Sequence, residues 1–193
     1  MAGILFDKIC AVKTLWRAWE KVKEKGTGGG IDHISLEHYE RNLDKNLHRL
    51  GEMLRRETYV PEPVRRTYIP KEKTSEKRAI DISCIKDKIV QQAVKRVIEP
   101  MFEKMFLKCS YGFRPHRGPH SAVRQVDRLM KAGNTWVANL DVDNFFDCID
   151  HSILMNRLAE KIDEEPVLRL IELWIKMGVV EKIEWLDSGE GVF

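Results

Sequence analysis

With 193 residues, 43% of them hydrophobic and 33% charged, the chain can bury a core and is not a disordered or low-complexity segment. A formal net charge of +3 neither demands nor excludes a polyanionic partner. Cys10, Cys84, Cys109 and Cys148 are too widely spaced for a zinc motif or a disulfide framework, and fit reduced thiols in a cytoplasmic protein. Asp7 and Lys8 interrupt the first apolar stretch, which therefore does not read as a signal peptide, and no run is apolar enough to span a membrane.

In chain order, Phe6, Ile9, Val12, Trp16, Trp19 and Val22 recur at steps of three and four and predict one amphipathic helix from about Leu5 to Glu24. Gly26-Thr27-Gly28-Gly29-Gly30 ends it. This glycine run lacks the strand-loop-helix setting and the Lys-Ser/Thr ending of a P-loop, so it reads as a flexible loop available for backbone contact. Ser35 is an N-cap for a second helix to about Arg56, on Leu36, Tyr39, Leu43, Leu47, Leu50 and Leu54. Pro61 and Pro63 force an extended segment. The runs Val64 to Pro70 and Lys77 to Ser83 then predict a β-hairpin. From Arg55 to Arg96 basic residues outnumber acidic ones twelve to six, with Tyr59 and Tyr68 among them. Such a hairpin can grip nucleic-acid phosphates, or can simply be a solvated surface.

Ile85, Ile89, Val90, Ala93, Val97, Ile98 and Met101 mark a helix that Pro100 should kink or end. The compact loop Ser110-Tyr111-Gly112-Phe113-Arg114-Pro115 follows, then a helix from about Pro119 to Ala132 closed by Gly133. Ser152 to Ile162 and Pro166 to Met177 read as two more helices, and Val179 to Leu186 as a strand.

Chemistry concentrates between Trp136 and His151. A run of strand-formers, Trp136 to Leu140, ends in Asp141, and Asp143, Phe145, Phe146, Asp147 and Asp150 follow. A carboxylate directly after an apolar strand is costly unless solvated, paired or metal-bound. Asp143, Asp147 and Asp150 read instead as loop and helix-cap residues. A calcium loop of the EF-hand kind is excluded: counting from Asp141, Phe146 stands where glycine is needed and Ser152 where glutamate is needed.

Taken together, these blocks resemble the reverse transcriptases of bacterial group II introns and their maturase relatives. The resemblance runs from about Phe6 to Phe193. It is carried in order by Gly30-Ile31-Asp32, by Tyr59 to Lys71, by Lys77-Arg78 with Ile85 to Ala93, by Ser110 to Pro115, and by Leu140 to His151, which is similar to motif A of the palm. It implies an α+β fold with fingers at 1–90 and an incomplete palm at 91–193. It further implies RNA-templated DNA synthesis by the full-length parent. Asp141 then looks like the first catalytic aspartate and a ligand to magnesium (manganese could substitute), with the carbonyl of Val142 as a further metal contact. Lys71 and Arg78 look like the residues holding the incoming triphosphate, and Phe146 like a steric gate below the sugar, with Phe145 turned to the core. Arg65, Arg66 and Arg114 are expected to contact RNA. The implied partners are RNA template or intron RNA, a DNA primer and deoxynucleotides, with no membrane.

The sequence also departs from that pattern. Arg78-Ala79-Ile80-Asp81-Ile82-Ser83 stands where relatives read Arg-Pro-Leu-Gly-Ile-Pro, which places Asp81 near the expected triphosphate site. Asp143 stands where relatives often have lysine. No Tyr-X-Asp-Asp occurs within the 193 residues. The expectation is a chain cut before that hairpin, inactive alone, with an uncovered sheet edge that favours self-association. The alternative is a non-catalytic, maturase-like RNA-binding module.

Overall fold

A computed structural model describes residues 3–26, 28–70, 77–142, 145–146 and 148–181. The chain divides into two compact units, residues 1–97 with 162–193, and residues 98–161. The architecture is α+β: helix-rich, with one small mixed sheet. No helix among the described residues is long and apolar enough to cross a membrane.

The first unit begins with α1 (Ile4–Cys10) and α2 (Val12–Glu24). The single helix expected here is broken at Ala11, whose backbone is extended (φ −67°, ψ 126°). The break resets the helical phase. Leu15, Ala18, Trp19 and Val22 turn inward on α2, while Trp16, expected on the stripe, is 38% exposed. The second expected helix is also divided, into α3 (Leu36–Glu40) and α4 (Leu43–Arg55). Ser35 caps α3 as expected, its Oγ accepting from the His38 amide at 3.2 Å. Leu43, Leu47, Leu50 and Leu54 form the buried stripe of α4. Gly51 lies on that stripe because a Cβ there would stand 3.0 Å from the Cys10 carbonyl oxygen. That oxygen, at the end of α1, accepts from Arg55 Nη2 at 3.2 Å, which satisfies a carbonyl left open by the helix end.

The hairpin forms as the sequence indicates: β1 (Val64–Pro70) pairs antiparallel with β2 (Lys77–Ile82), in a register that sets Arg66 opposite Asp81 and Ile69 opposite Arg78. The third strand, β3 (Val179–Glu181), lies parallel to β1 on its other side, giving the order β2-β1-β3. The expected run to Leu186 continues outside the described residues. α5 (Ile85–Glu103) buries Ile85, Ile89, Val90, Ala93 and Val94, and continues through Pro100 to end just past it. α8 (Glu165–Ile175) returns the chain to α1. Both oxygens of Glu164, at its N-terminus, accept from the Leu5 and Phe6 amides at 2.8 Å. The carboxylate thereby satisfies two of α1's orphan donors and sits at the positive end of its dipole.

One polar cluster lies within this core. Asp87, in the first turn of α5, is fully buried. Its Oδ1 accepts from the Tyr59 hydroxyl at 2.7 Å, and its Oδ2 from the Glu62 amide at 3.1 Å. Trp174 Nε1 of α8 donates to the Tyr59 oxygen at 3.3 Å. Burial raises the Asp87 carboxyl above its usual range, against the lowering effect of the Tyr59 and Glu62 hydrogen bonds. Burial also raises the Tyr59 phenol, with the Asp87 charge adding to it, so the hydroxyl keeps the proton it donates.

The second unit contains α6 (Pro119–Lys131) and α7 (His151–Ala159), neither of which buries a residue. Asp150 caps α7, its Oδ1 accepting from the Ile153 amide at 2.9 Å. The strand expected at Trp136–Leu140 does not form. The segment is irregular, and Trp136 and Leu140 are almost wholly exposed. A strand requires a ladder partner, and no described strand pairs with it.

Two outcomes test the buried cluster. Asp87→Ala leaves the Tyr59 O–H and the Glu62 N–H without their acceptor and should cost roughly 1–3 kcal/mol per unsatisfied group in chemical unfolding. The raised carboxyl also fixes a sign. The folded state binds this proton more readily than the unfolded state, so the associated stability is full below about pH 3.8 and is lost as pH rises through the folded value. Unfolding free energies measured across acid pH should therefore show Asp87→Asn gaining on the wild type as pH rises from about 4.

Candidate nucleotide and nucleic-acid site

The site expected from the sequence has two parts, the hairpin in the first unit and motif A in the second. On the hairpin, Arg66 and Asp81 form the cross-strand pair set by the register. Arg66 Nε donates to Oδ1 at 2.7 Å and Nη2 to Oδ2 at 2.9 Å. This two-pronged bond holds the Asp81 carboxyl below its ordinary range. The negative charge that departs from the motif is thus met by a guanidinium on the neighbouring strand.

Arg65 projects to the opposite face, as strand alternation requires, and its Nη2 donates to the Gly29 carbonyl at 3.0 Å. Lys88 of α5 donates to the adjacent Gly28 carbonyl at 2.6 Å. Two cations therefore pin the glycine loop by its carbonyl oxygens. Close packing explains its sequence: a Cβ on Gly29 would stand 2.4 Å from Ile34 O, and one on Gly30 2.5 Å from Cys84 N. The loop expected to be flexible is packed at Gly29 and Gly30. Among the other candidates, Arg78 is exposed on β2, and Lys71 lies outside the described residues. Tyr68, Ile69 and Ile80 expose apolar surface on the same hairpin.

In the second unit Arg114 is buried rather than presented to solvent. Its Nε donates to both Glu103 oxygens at 3.1 Å and its Nη2 to Oε1 at 2.6 Å. Its Nη1 donates to the Leu107 and Ser110 carbonyls at 2.7 and 2.9 Å. Its guanidinium lies 5.1 Å from the centre of the Phe106 ring. Arg114 organises the loop between α5 and α6. Nearby, Arg117 lies over Tyr111 at 5.5 Å, and Phe113, with φ +54°, is 94% exposed.

Asp141 is exposed, and its Oδ1 accepts from the Val142 amide at 3.0 Å. Phe145 and Phe146 meet edge-to-face, centroids 5.6 Å apart at 65°. Phe145, expected in the core, is 54% exposed, beside Phe146 at 75%. No β-sheet layer covers this segment among the described residues, so neither ring is buried. Asp143 and Asp147 lie outside the described residues, and the described residues contain no cluster of three His, Cys, Asp or Glu able to hold a metal ion. Asp141 and the Val142 carbonyl are hard oxygen donors of the kind Mg²⁺ takes, and Mg²⁺ characteristically combines one or two carboxylates with water and phosphate oxygens.

Charge counting and motif spacing did not reveal the internal partners of Arg65, Arg66 and Arg114. The signals were present for two of them: a register that opposes Arg66 to Asp81, and a glutamate eleven positions before Arg114. Asp87 was legible only as part of a motif, and the glycine clamp on Lys88 had no local signature.

Residues 69–191 match the family described as reverse transcriptase (RNA-dependent DNA polymerase). The Protein YkfC of Escherichia coli K12 is 34% identical over 167 residues, covering 84% of this chain and 44% of that protein. The group II intron-encoded protein LtrA of Lactococcus lactis subsp. cremoris is 32% identical over 148 residues, covering 77% and 24%. The mitochondrial nuclear intron maturase 1 of Arabidopsis thaliana is 36% identical over 112 residues, covering 54% and 16%. The chain belongs to the reverse transcriptase family, within its group II intron-type reverse transcriptases and maturases. It spans less than half the length of each of these relatives.

The role of Arg114 has a direct check. Arg114→Lys keeps the charge but cannot reproduce the forked bond to Glu103. Hydrogen exchange should accelerate in the amides of residues 107–117 and change little in α2 and α4.

Proposed function

We propose that these residues form the fingers and the first part of the palm of an RNA-directed DNA polymerase, with fingers at 1–90 and palm from 91. The observation that carries this reading is the family match over 69–191, which takes in both the basic hairpin and an exposed Asp141 at the end of its apolar run. The full-length protein would extend a DNA primer on an RNA template using deoxynucleotides. Asp141 and the carbonyl of Val142 would hold a divalent cation, Mg²⁺ or Mn²⁺, which supplies activation of the 3′-oxygen and stabilisation of the leaving pyrophosphate.

The chain's own residues have distinct tasks in this scheme. Arg78 and Lys71 neutralise the triphosphate, a stabilisation that increases as charge develops on the leaving group. Arg66 neutralises Asp81 on the neighbouring strand, where the motif's usual glycine is absent. The Phe146 ring occupies the space that a ribose 2′-hydroxyl would need, discriminating by clash. Arg65 and Arg114 serve RNA binding by positioning, one fixing the glycine loop to the hairpin and the other shaping the loop that carries Phe113. The 193 residues contain one of the family's three expected catalytic aspartates, so this chain alone is expected not to polymerise.

Primer extension on an RNA template with Mg²⁺ or Mn²⁺ tests the reading. The 193-residue chain should give no product above background. A longer protein carrying these residues and a Tyr-X-Asp-Asp block should extend the primer and lose the activity with Asp141→Ala. Asp141-dependent extension by the short chain would overturn the assignment of its inactivity. Specific intron-RNA binding by an extension-incompetent longer protein would favour the maturase reading. RNA affinity offers a second check. Asp81→Asn removes a negative charge from the hairpin, so RNA binding should tighten at low salt. Unchanged affinity at low salt would show that the Asp81 charge does not oppose RNA at the hairpin.

A further inference from the structure

Where α3, α4 and the first turn of α5 meet lies a cavity of about 250 Å³, lined by Tyr39, Asn46, Arg49, Leu50, Met53 and Lys86. It is far larger than the roughly 10–15 Å³ that admits one water. Asn46, Arg49, Leu50 and Met53 share one face of α4 through i, i+3, i+4 and i+7 spacing. Tyr39 comes from α3 and Lys86 from α5, all within the first unit. Two of these side chains lack the partner their chemistry calls for. Tyr39 is 8% exposed, its ring stacked on Trp19 with centroids 5.6 Å apart. A buried phenol ordinarily hydrogen-bonds, yet its hydroxyl has no partner among the described residues. Arg49 is exposed and forms no ion pair or hydrogen bond among the described residues, although Glu52 follows three positions on.

We infer that this cavity is a binding site for a small organic carboxylate with an apolar body. The site lies apart from the hairpin and motif A, and the inference is independent of the polymerase reading.

The charge of the lining selects a monoanion. Lys86 is already engaged, its Nζ donating to Glu62 Oε1 at 2.8 Å. The lining and this partner therefore carry one net positive charge, that of Arg49. A phosphomonoester brings nearly two negative charges, whereas a carboxylate brings one, in a planar form that matches the guanidinium fork. The Tyr39 phenol supplies a neutral donor to the same group. Burial pushes it up to about 12, with the Asp87 charge adding to the effect, so the hydroxyl keeps its proton. Asn46 Nδ2 donates to the Tyr39 carbonyl at 3.0 Å, which leaves its second hydrogen and its own oxygen open to a ligand. Leu50, Met53 and the edge of the Tyr39 ring form an apolar floor beside these donors. A ligand with an apolar body gains from covering that floor, and a hydrophilic anion does not.

The test uses the full 193-residue chain and isothermal titration with benzoate. Tyr39→Phe keeps the ring and its stacking, and Arg49→Gln removes a guanidinium with no partner among the described residues. Neither breaks a described bond of the folded chain, so both should keep the wild-type urea midpoint. Tyr39→Phe should weaken benzoate by about tenfold, the loss expected for one hydrogen bond to a charged group, and Arg49→Gln by more. Arg49→Lys, which keeps the charge without the fork, should fall between wild type and Arg49→Gln. Benzamide, the same ring without the charge, should bind at least about tenfold more weakly than benzoate. Equal affinity for benzamide and benzoate would reduce the site to an apolar cavity and overturn carboxylate recognition. Benzoate affinity unchanged in both Tyr39→Phe and Arg49→Gln would place binding elsewhere and overturn the assignment. Displacement of benzoate by oligouridylate, in the wild type and not in Arg49→Gln, would make the cavity a nucleic-acid contact instead. No heat of binding at about 10 mM benzoate, beyond the millimolar range of weak ligands, would overturn the site altogether.

Discussion

The buried carboxylate of Asp87 is the constraint around which the larger unit is arranged. A charge-bearing group at zero exposure is tolerated only when its oxygens are hydrogen-bonded. Here the partners come from the segment entering the hairpin, Tyr59 and Glu62, and through Tyr59 from Trp174 of α8. Three stretches far apart in sequence must therefore reach one point. Apolar packing alone would hold α5 against its neighbours, but would tolerate sliding along the helix. A carboxylate with two fixed partners does not, because a small shift leaves a donor or acceptor unpaired. The Arg169–Glu57 ion pair and the two-pronged Glu164 cap bring α8 and α1 to the same region from the outside.

A second theme is the employment of cations within the scaffold. Arg55 closes α1, Arg65 and Lys88 hold the glycine loop, Arg66 pairs with Asp81, and Arg114 orders the loop before α6. Arginine suits these positions because its planar fork meets carbonyl and carboxylate pairs at fixed geometry. The consequence for function is that the basic excess from Arg55 to Arg96 overstates the charge presented to a polyanion. Among the described residues of this stretch outside those bonds, Arg56, Lys77, Arg78 and Arg96 are exposed.

Periodicity in the sequence located most elements, and the hairpin was legible to within a residue, because two runs of strand-formers, a polar connection and the preceding prolines all agreed there. The leucine stripe of α4 was equally clear. The breaks at Ala11 and between α3 and α4 were not, since no glycine or proline marks them and the apolar spacing carries across. The Trp136–Leu140 run shows the converse: strand propensity is a preference for a pleated, partnered surface, and without a ladder the residues remain irregular and exposed. At the candidate site, Asp141, Arg78 and Phe146 were legible as chemical types in an ordered set of motifs. The internal engagements of Arg65 and Arg114 depend on where distant carbonyls lie, which spacing does not encode. Asp87 illustrates the limit most clearly, since a lone aspartate between two lysines reads as a surface residue and is instead fully buried.

Asp87 and Tyr59 act as one unit that fixes α5 to the hairpin's entry. A double-mutant cycle with Tyr59→Phe and Asp87→Ala, read by urea unfolding at neutral pH, measures that coupling directly. Residues sharing a buried hydrogen bond should show an interaction energy of about 0.5–3 kcal/mol, with the double variant less destabilised than the two single changes sum to. Strict additivity would contradict it, and would mean that the helices are held in place by apolar packing with the carboxylate as a passenger.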